Sequence, residues 1–185
     1  MSTTKWDLDL AHSSVGFSVR HLMVSRVRGQ FTKWNGSLEF DEAHPEAAVI
    51  NVRIDAASID THEPQRDAHL RSPDFFDAAR FPELTFKSTK VERVGDGRYT
   101  VAGDLTIHGV TRPVVLEAEY GGQIADFQGS TRAGFSATTS IDRKDFGLTW
   151  NMILEAGGFA VADKVEITLE IEAIQLRAAA EAAAA

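Results

Sequence analysis

Most of this 185-residue chain alternates apolar and polar side chains with a period of two, and this alternation constrains its fold more than any other feature. The clearest run is Val165–Ala173, where every odd position is apolar. Successive side chains of a strand point to opposite faces, so the run predicts a strand with one buried and one solvated face. The same pattern recurs over residues 14–22, 29–40, 49–56, 84–94, 99–107, 114–124 and 129–141.

Turn residues such as Asn35-Gly36 and Gly95-Asp96-Gly97 separate these runs. About eight strands with short connections predict an all-β protein, either an antiparallel barrel or a sandwich, in a single domain over residues 1–175. A barrel of about eight strands is either filled by side chains or holds one ligand. The Ala-rich tail, residues 176–185, is too short for a stable isolated helix and is predicted to be disordered.

One segment breaks the strand pattern. Pro64 fits the first turn of a helix, and Pro73 can begin a second one, so we expect a short helical insertion around residues 63–79. The insertion is charged, but it carries the adjacent aromatic residues Phe75 and Phe76. A segment of this kind in an all-β chain suggests a lid over a barrel or sheet opening. Its aromatic residues either plug the end of the barrel or form an apolar rim where a ligand enters.

Composition excludes several classes of function. The chain has no cysteine, which excludes disulfides and thiolate catalysis. Its net charge of −8 disfavours nucleic acid as a partner and electrostatic docking on anionic membranes. No apolar run is long enough to span a membrane, and the first residues lack the apolar core of a signal peptide. The sequence therefore predicts a cytoplasmic protein without an integral membrane segment, and any lipid would be held by apolar contact inside it.

Small residues inside the predicted strands do not decide whether the interior of the barrel is filled. Within the strands, Phe and branched aliphatic residues are mixed with Gly16, Gly103, Gly134 and Ala137. Small residues in strands mark a bend, close packing or room for a ligand. A filled core and a ligand cavity are both compatible with this pattern.

Signals for catalysis are weak. The six histidines include no HExxH pair, and no serine lies in a G-x-S-x-G elbow, so no metal, cofactor or nucleophile is predicted. One alternative is an enzyme acting on a lipid-like substrate with His21 or His69 as general base. Another is a solid barrel that binds a protein partner. Arg66, Arg71 and Arg143 lie in the same non-strand segments as the aromatic residues, where they either bind a head group or form local ion pairs.

Several stretches of the chain together resemble one known family. They are residues 12–23, 27–31, 59–62, 66–72, 74–77, 81–82, 85–86, 104–111, 113–114, 142–148 and 162–168. This set is similar to the YceI family over residues 6–173. The resemblance implies a lipocalin-like antiparallel barrel with an elongated apolar cavity for a long isoprenoid lipid, and a homodimer.

We therefore predict a non-enzymatic protein that binds a polyprenyl phosphate, polyprenol or quinone-like lipid for carriage or storage. The residues predicted to contact the isoprenoid tail are Phe17, Val19, Phe31, Ile54, Phe75, Phe76, Phe86, Leu105, Phe135, Phe146 and Trp150. The residues predicted to hold the head group are His21, Arg66, Arg71 and Arg143. Burial of the tail would supply the affinity, about 25 cal/mol for each Å² removed from water.

Overall fold

The computed structural model describes residues 4–176, in which the strands form a closed eight-stranded antiparallel barrel. The strands are β1 (Lys5–Leu8), β2 (Ser14–His21), β3 (Ser25–Phe31), β4 (Trp34–Glu39), β5 (Val49–Asp55), β6 (Ile59–Asp60), β7 (Glu83–Gly95), β8 (Arg98–Ile107), β9 (Val110–Ala125), β10 (Thr131–Asp142) and β11 (Val161–Gln175). One α-helix, α1, spans Pro64–Arg71. Short 3-10 helices span Leu10–His12, Pro45–Ala47, Ala56–Ser58 and Arg143–Phe146.

Strand β11 closes the barrel. One of its edges pairs with β10, and β1 and β2 share the other edge. β1 also pairs with β4, while β2 pairs with β3. Because β1–β2, β3–β4 and β5–β6 each act as one bent strand, eleven strand segments make a barrel of eight.

The predicted alternation is confirmed in the burial of the strands. In β8, Tyr99, Val101, Gly103, Leu105 and Ile107 are buried, and the residues between them are more exposed. Two expectations need correction. The predicted strand over residues 29–40 is interrupted at 32–33, where the backbone bends from β3 to β4, and the short strands β1 and β6 were not predicted.

The insertion forms one helix, although two were expected. Pro64 lies in the first turn of α1, and the carboxylate of Glu63 accepts hydrogen bonds from the backbone N–H groups of Gln65 and Arg66. The helix ends at Arg71, and Ser72 caps it. Residues 73–76 form a turn, so the expectation of a helix beginning at Pro73 was wrong. We call residues 61–82, between β6 and β7, the lid segment.

Two groups of buried side chains fill the ends of the barrel. The upper group lies beneath the lid segment and includes Val15, Trp34, Leu84 and Phe146. The lower group lies at the end where β7 turns into β8, and includes Trp6, Phe40 and Tyr99. Across residues 4–176, no helix is long and apolar enough to cross a membrane. Residues 177–185 lie outside the described part, so the predicted disorder of the tail stays a prediction.

An ion-pair cluster ties the bend between β1 and β2 to β10 and β11. The Arg132 guanidinium donates to the carboxylates of Asp9, Asp126 and Glu172 at 2.6–2.8 Å. His12 Nδ1 lies 2.9 Å from Asp9 Oδ2. The ligand atoms of Asp9, His12 and Glu172 are close enough together to hold a metal ion, but the arginine already supplies the positive charge there.

This cluster should make stability depend on pH at both ends of the range. The hydrogen bonds from His12 and Arg132 lower the pKa of Asp9 from 3.8 to about 2, so its stabilising contribution is lost as the pH falls from about 4 to 2. The hydrogen bond to Asp9 raises the pKa of His12 above 6.5, so that contribution is lost as the pH rises through the folded-state value. Melting curves from pH 2 to 9 should show a weaker dependence in Asp9→Asn than in the wild type. Equal pH profiles would contradict the assignment.

Candidate functional site

An internal cavity of about 210 Å³ lies between the upper and lower groups of side chains. Aromatic and aliphatic side chains from almost every barrel strand line it, with few polar residues. Six residues predicted to contact a lipid tail line this cavity: Phe17, Phe31, Ile54, Phe86, Leu105 and Phe135. The other predicted tail residues, Val19, Phe75, Phe76, Phe146 and Trp150, are not in its wall.

The middle of the barrel is not filled. Phe135, Ala137, Leu169 and Ile171 belong to the inward-facing sets of β10 and β11, and all four are only half-buried. These four side chains line the cavity, so the space they face is inside the barrel. Since a filled core would bury them completely, the alternative left open by the sequence is resolved in favour of a cavity.

Two glycines allow large rings to lie against the barrel wall. A Cβ atom on Gly29 would lie 2.4 Å from the ring of Phe17, and one on Gly103 would lie 2.4 Å from the ring of Phe86. Each phenylalanine therefore covers the backbone of a glycine on the neighbouring strand. This arrangement keeps both rings out of the centre of the barrel and leaves the cavity open.

Aromatic side chains of the lid segment close the upper end. Phe76 packs edge-on against the cavity-lining Phe31, with ring centroids 5.8 Å apart. Phe75 contacts Trp150 at 5.2 Å. Phe146 is buried among the upper group. Phe75, Phe76, Phe146 and Trp150 thus form a layer above the cavity, in agreement with a lid.

The lower end is closed by aromatic residues that sequence reasoning missed. Phe40 packs against Tyr99, Tyr120 and Phe135, with ring centroids 5.2–5.9 Å apart. Tyr99 and Tyr120 lie on the inward faces of β8 and β9, and the period-two pattern could have placed them there. Burial raises the pKa of both tyrosines. The Tyr99 hydroxyl is buried and has no hydrogen-bond partner within the described residues.

Replacing Tyr99 by phenylalanine should leave the protein as stable or stabilise it by about 1–2 kcal/mol, because a buried hydroxyl without a partner costs free energy. Urea unfolding of the two proteins measures the difference. Tyr120→Phe is the matched control, since Tyr120 is less buried. A loss of more than about 1 kcal/mol in Tyr99→Phe would show that the hydroxyl has a partner in solution.

The three arginines predicted to hold a head group already donate hydrogen bonds within the protein, mainly to backbone carbonyls. Arg66 donates to the Thr61 hydroxyl and carbonyl, and Arg71 donates to the carbonyls of Ala57 and Ile59. Buried Arg143 donates to the carbonyl oxygens of Leu148, Trp150, Val161 and Ala162 and to Asp163 Oδ1. These bonds attach the lid segment and the loop after β10 to the barrel. Binding of a head group by these arginines stays a prediction.

The two histidines considered as general bases are also outside the cavity wall. His69 Nε2 lies 2.8 Å from Asp74 Oδ2, and its ring packs edge-on against Phe75 and Trp150. His21 ends β2 and is paired with Val161. Among the described residues that line the cavity there is no histidine.

Comparison with known proteins agrees with this geometry. The YceI-like domain family matches residues 6–173. A UPF0312 protein of Vibrio cholerae is 40% identical over 165 residues, which are 89% of this chain and 83% of that protein. The crystal structure of Burkholderia cenocepacia BcnA has a TM-score of 0.80 at 26% identity, over 90% of this chain and 99% of BcnA.

A polyisoprenoid-binding domain of Saccharophagus degradans, implicated in plant cell wall breakdown, shares the fold. Its TM-score is 0.66 at 16% identity, over 94% of this chain and 99% of that domain. The resemblance seen in the sequence is therefore confirmed both by the family match and by the barrel. The chain belongs to the YceI-like family.

Proposed function

We propose that this protein binds an isoprenoid lipid in its central cavity and carries or stores it without catalysis. The observation that supports this most directly is the almost wholly apolar wall of the 210 Å³ cavity. A site that turns over a substrate needs polar groups near the reacting atoms, and here they are scarce. The shared fold with a polyisoprenoid-binding domain favours the same class of ligand.

The size of the cavity limits how much of a lipid it holds in this conformation. An apolar cavity of about 150 Å³ accepts benzene, so about 210 Å³ accommodates one to two isoprene units. A longer chain has to displace one of the aromatic layers. The upper layer includes Phe75 and Phe76 of the lid segment, and we propose that this layer moves to admit the chain.

The head group would then remain near the upper end, where His21, Arg66, Arg71 and Arg143 lie. A phosphate at this position has to compete with the carbonyls that already engage the three guanidinium groups. A neutral polyprenol or a quinone does not face that competition. The cavity therefore favours a lipid with an uncharged head group over a polyprenyl phosphate.

A series of prenols of increasing length tests the proposed function. Geraniol, farnesol and geranylgeraniol should each raise the melting temperature, because a ligand that binds only the folded state stabilises it. Protein purified from cells should also release an isoprenoid on organic extraction, identified by mass spectrometry. The proposal fails if none of the prenols shifts the melting temperature and no lipid is extracted.

We also propose, from the family resemblance, that the protein is a homodimer in its native compartment, which we take to be the cytoplasm. Light scattering coupled to size-exclusion chromatography would give twice the chain mass of 20.2 kDa. A single-chain mass at concentrations up to about 0.1 mM would contradict the dimer.

A further inference from the structure

An apolar patch is exposed at the upper end of the barrel, beside the lid segment. It joins the turn between β2 and β3 to the loop of residues 147–160 between the Arg143–Phe146 helix and β11. Its members, the tip patch, are Leu22, Met23, Val24, Met152, Ile153 and Phe159. Met23, Val24 and Ile153 are 69%, 82% and 79% exposed, respectively. The two segments touch: Leu22 N–H donates to the Ala160 carbonyl at 2.9 Å.

The β2–β3 turn carries bulky apolar residues in an unfavourable conformation. Leu22 and Met23 have φ angles of 51° and 62°, and Val24 N–H donates to the His21 carbonyl. Positive φ at both central positions is the geometry of a type I′ turn, which favours Asn-Gly. Large side chains are rare at positive φ. Exposed side chains that strain the backbone add nothing to the core, so they point to a role outside the barrel.

The loop that supplies the rest of the patch has a defined backbone. Arg143 holds the carbonyls of Leu148, Trp150 and Val161. The Asn151 side chain accepts from the N–H groups of Met152 and Val161 and donates to the Val161 carbonyl at 2.7 Å. These hydrogen bonds fix the backbone of the loop, so its apolar side chains stay exposed to solvent.

Basic residues flank the tip patch on the side of the β2–β3 hairpin, although the whole chain carries −8. The β2–β3 hairpin, residues 14–31, contains three arginines and no acidic residue. Arg20 and Arg26 lie directly opposite each other on the outer face of the β2–β3 hairpin, a pairing that destabilises a sheet. Arg26 binds Glu166 at 2.7 Å, but within residues 4–176 neither Arg20 nor Arg28 has a carboxylate within 4.0 Å.

The acidic groups near the patch offset only part of this charge. Asp163 is already paired with Lys144 at 2.9 Å and with Arg143. Glu155 is exposed in the loop itself. Charges more than about 8 Å apart are screened at physiological ionic strength. The local excess of arginine at the hairpin, rather than the net charge, therefore determines what approaches this end of the barrel.

We propose that the tip patch inserts into the surface of an anionic phospholipid bilayer. Reversible membrane docking needs two components: apolar side chains that enter the interface, and neighbouring cations that face anionic head groups. Trp150, two residues before Met152, packs on Phe75 of the lid segment, so docking places the lid beside the bilayer. The role of docking in lipid exchange rests on the proposed function, whereas docking itself is measurable without it.

Co-sedimentation with vesicles of phosphatidylcholine and about 30% phosphatidylglycerol tests the proposal. The wild type should pellet with these vesicles, and pelleting should weaken with pure phosphatidylcholine and with added salt. Leu22→Asn combined with Met23→Gly should bind at least about tenfold more weakly, because it removes apolar surface. The same variant should melt at an equal or higher temperature, because Asn-Gly suits a type I′ turn.

Arg20→Gln and Arg28→Gln should each weaken binding about fivefold. Phe127→Ser is the matched control, since Phe127 is fully exposed at the opposite end of the barrel, and it should bind as the wild type does. Absence of vesicle binding, or equal binding by all variants, would overturn the proposal. So would a wild-type dimer that becomes a monomer in the Leu22→Asn, Met23→Gly variant, because the patch would then be an interface between copies. The farnesol-induced thermal shift, measured without vesicles, separates failure of docking from failure of cavity binding.

Discussion

Replacing Arg143 by methionine should lower the free energy of unfolding by about 3 kcal/mol or more. The guanidinium is buried and donates to the Leu148 and Trp150 carbonyls at 2.7 and 2.8 Å, respectively. Methionine fills similar space but leaves these acceptors without donors, and each buried unsatisfied group costs about 1–3 kcal/mol. Burial also lowers the pKa of Arg143, and the nearby Asp163 opposes that effect. Urea unfolding followed by circular dichroism measures the loss.

Arg143→Lys is the matched variant, because it keeps the charge but lacks the planar fork that reaches several carbonyls at once. We expect it to lose part of the stability. The pair of variants also separates a structural arginine from a head-group ligand. If Arg143→Met unfolds at the wild-type urea concentration and only its affinity for a polyprenyl phosphate falls, the structural assignment is wrong.

Replacing Ala137 by phenylalanine should abolish isoprenoid binding while the barrel stays folded. Ala137 faces the cavity from β10, opposite Ala118 of β9 and Leu169 of β11. A phenyl group is the size of benzene and needs about 150 Å³, so most of the 210 Å³ would be filled. The farnesol-induced rise in melting temperature should fall to zero. The unliganded protein should gain about 0.5–2 kcal/mol, as cavity-filling substitutions commonly do.

Thr138→Phe is the control, since Thr138 is the adjacent residue on the exposed outer face of β10. It adds the same ring without entering the cavity, and farnesol should stabilise it as much as the wild type. Ala118→Leu fills the cavity from the neighbouring strand and tests the same point if Ala137→Phe packs poorly. Undiminished farnesol binding in both filled variants would place the ligand elsewhere.

The strands and the barrel could be predicted because their signal is local. Alternation along Val165–Ala173 and Tyr99–Ile107 is visible in a single run of sequence, and pairing then follows from short connections. The same parity placed Phe17, Ile54 and Leu105 on inward faces, and all three line the cavity. The YceI resemblance, which the family match confirms, supplied the choice of a barrel over a sandwich.

The resemblance implied a cavity, but the residue pattern alone could not predict the open interior, because it depends on contacts between strands. Gly29 and Gly103 are ordinary small residues in the sequence. Only the register of the paired strands shows that the rings of Phe17 and Phe86 pack against them. The contacts of Arg143 could not be predicted either. Its position beside aromatic residues was taken to favour a ligand, but the carbonyls it binds come from residues five to nineteen positions away.

The pairing of β11 has a consequence for how the protein is made. This strand spans residues 161–175, yet it pairs with β1 and β2, which lie within the first 21 residues. At about 5–20 residues per second, a ribosome needs on the order of 10–30 seconds between synthesis of β2 and of its partner. During that interval the β2–β3 hairpin and the strands from β7 to β10 can form, because their partners are adjacent in sequence. The barrel closes only after β11 has been synthesised, so the nascent chain exposes its apolar interior until that strand emerges.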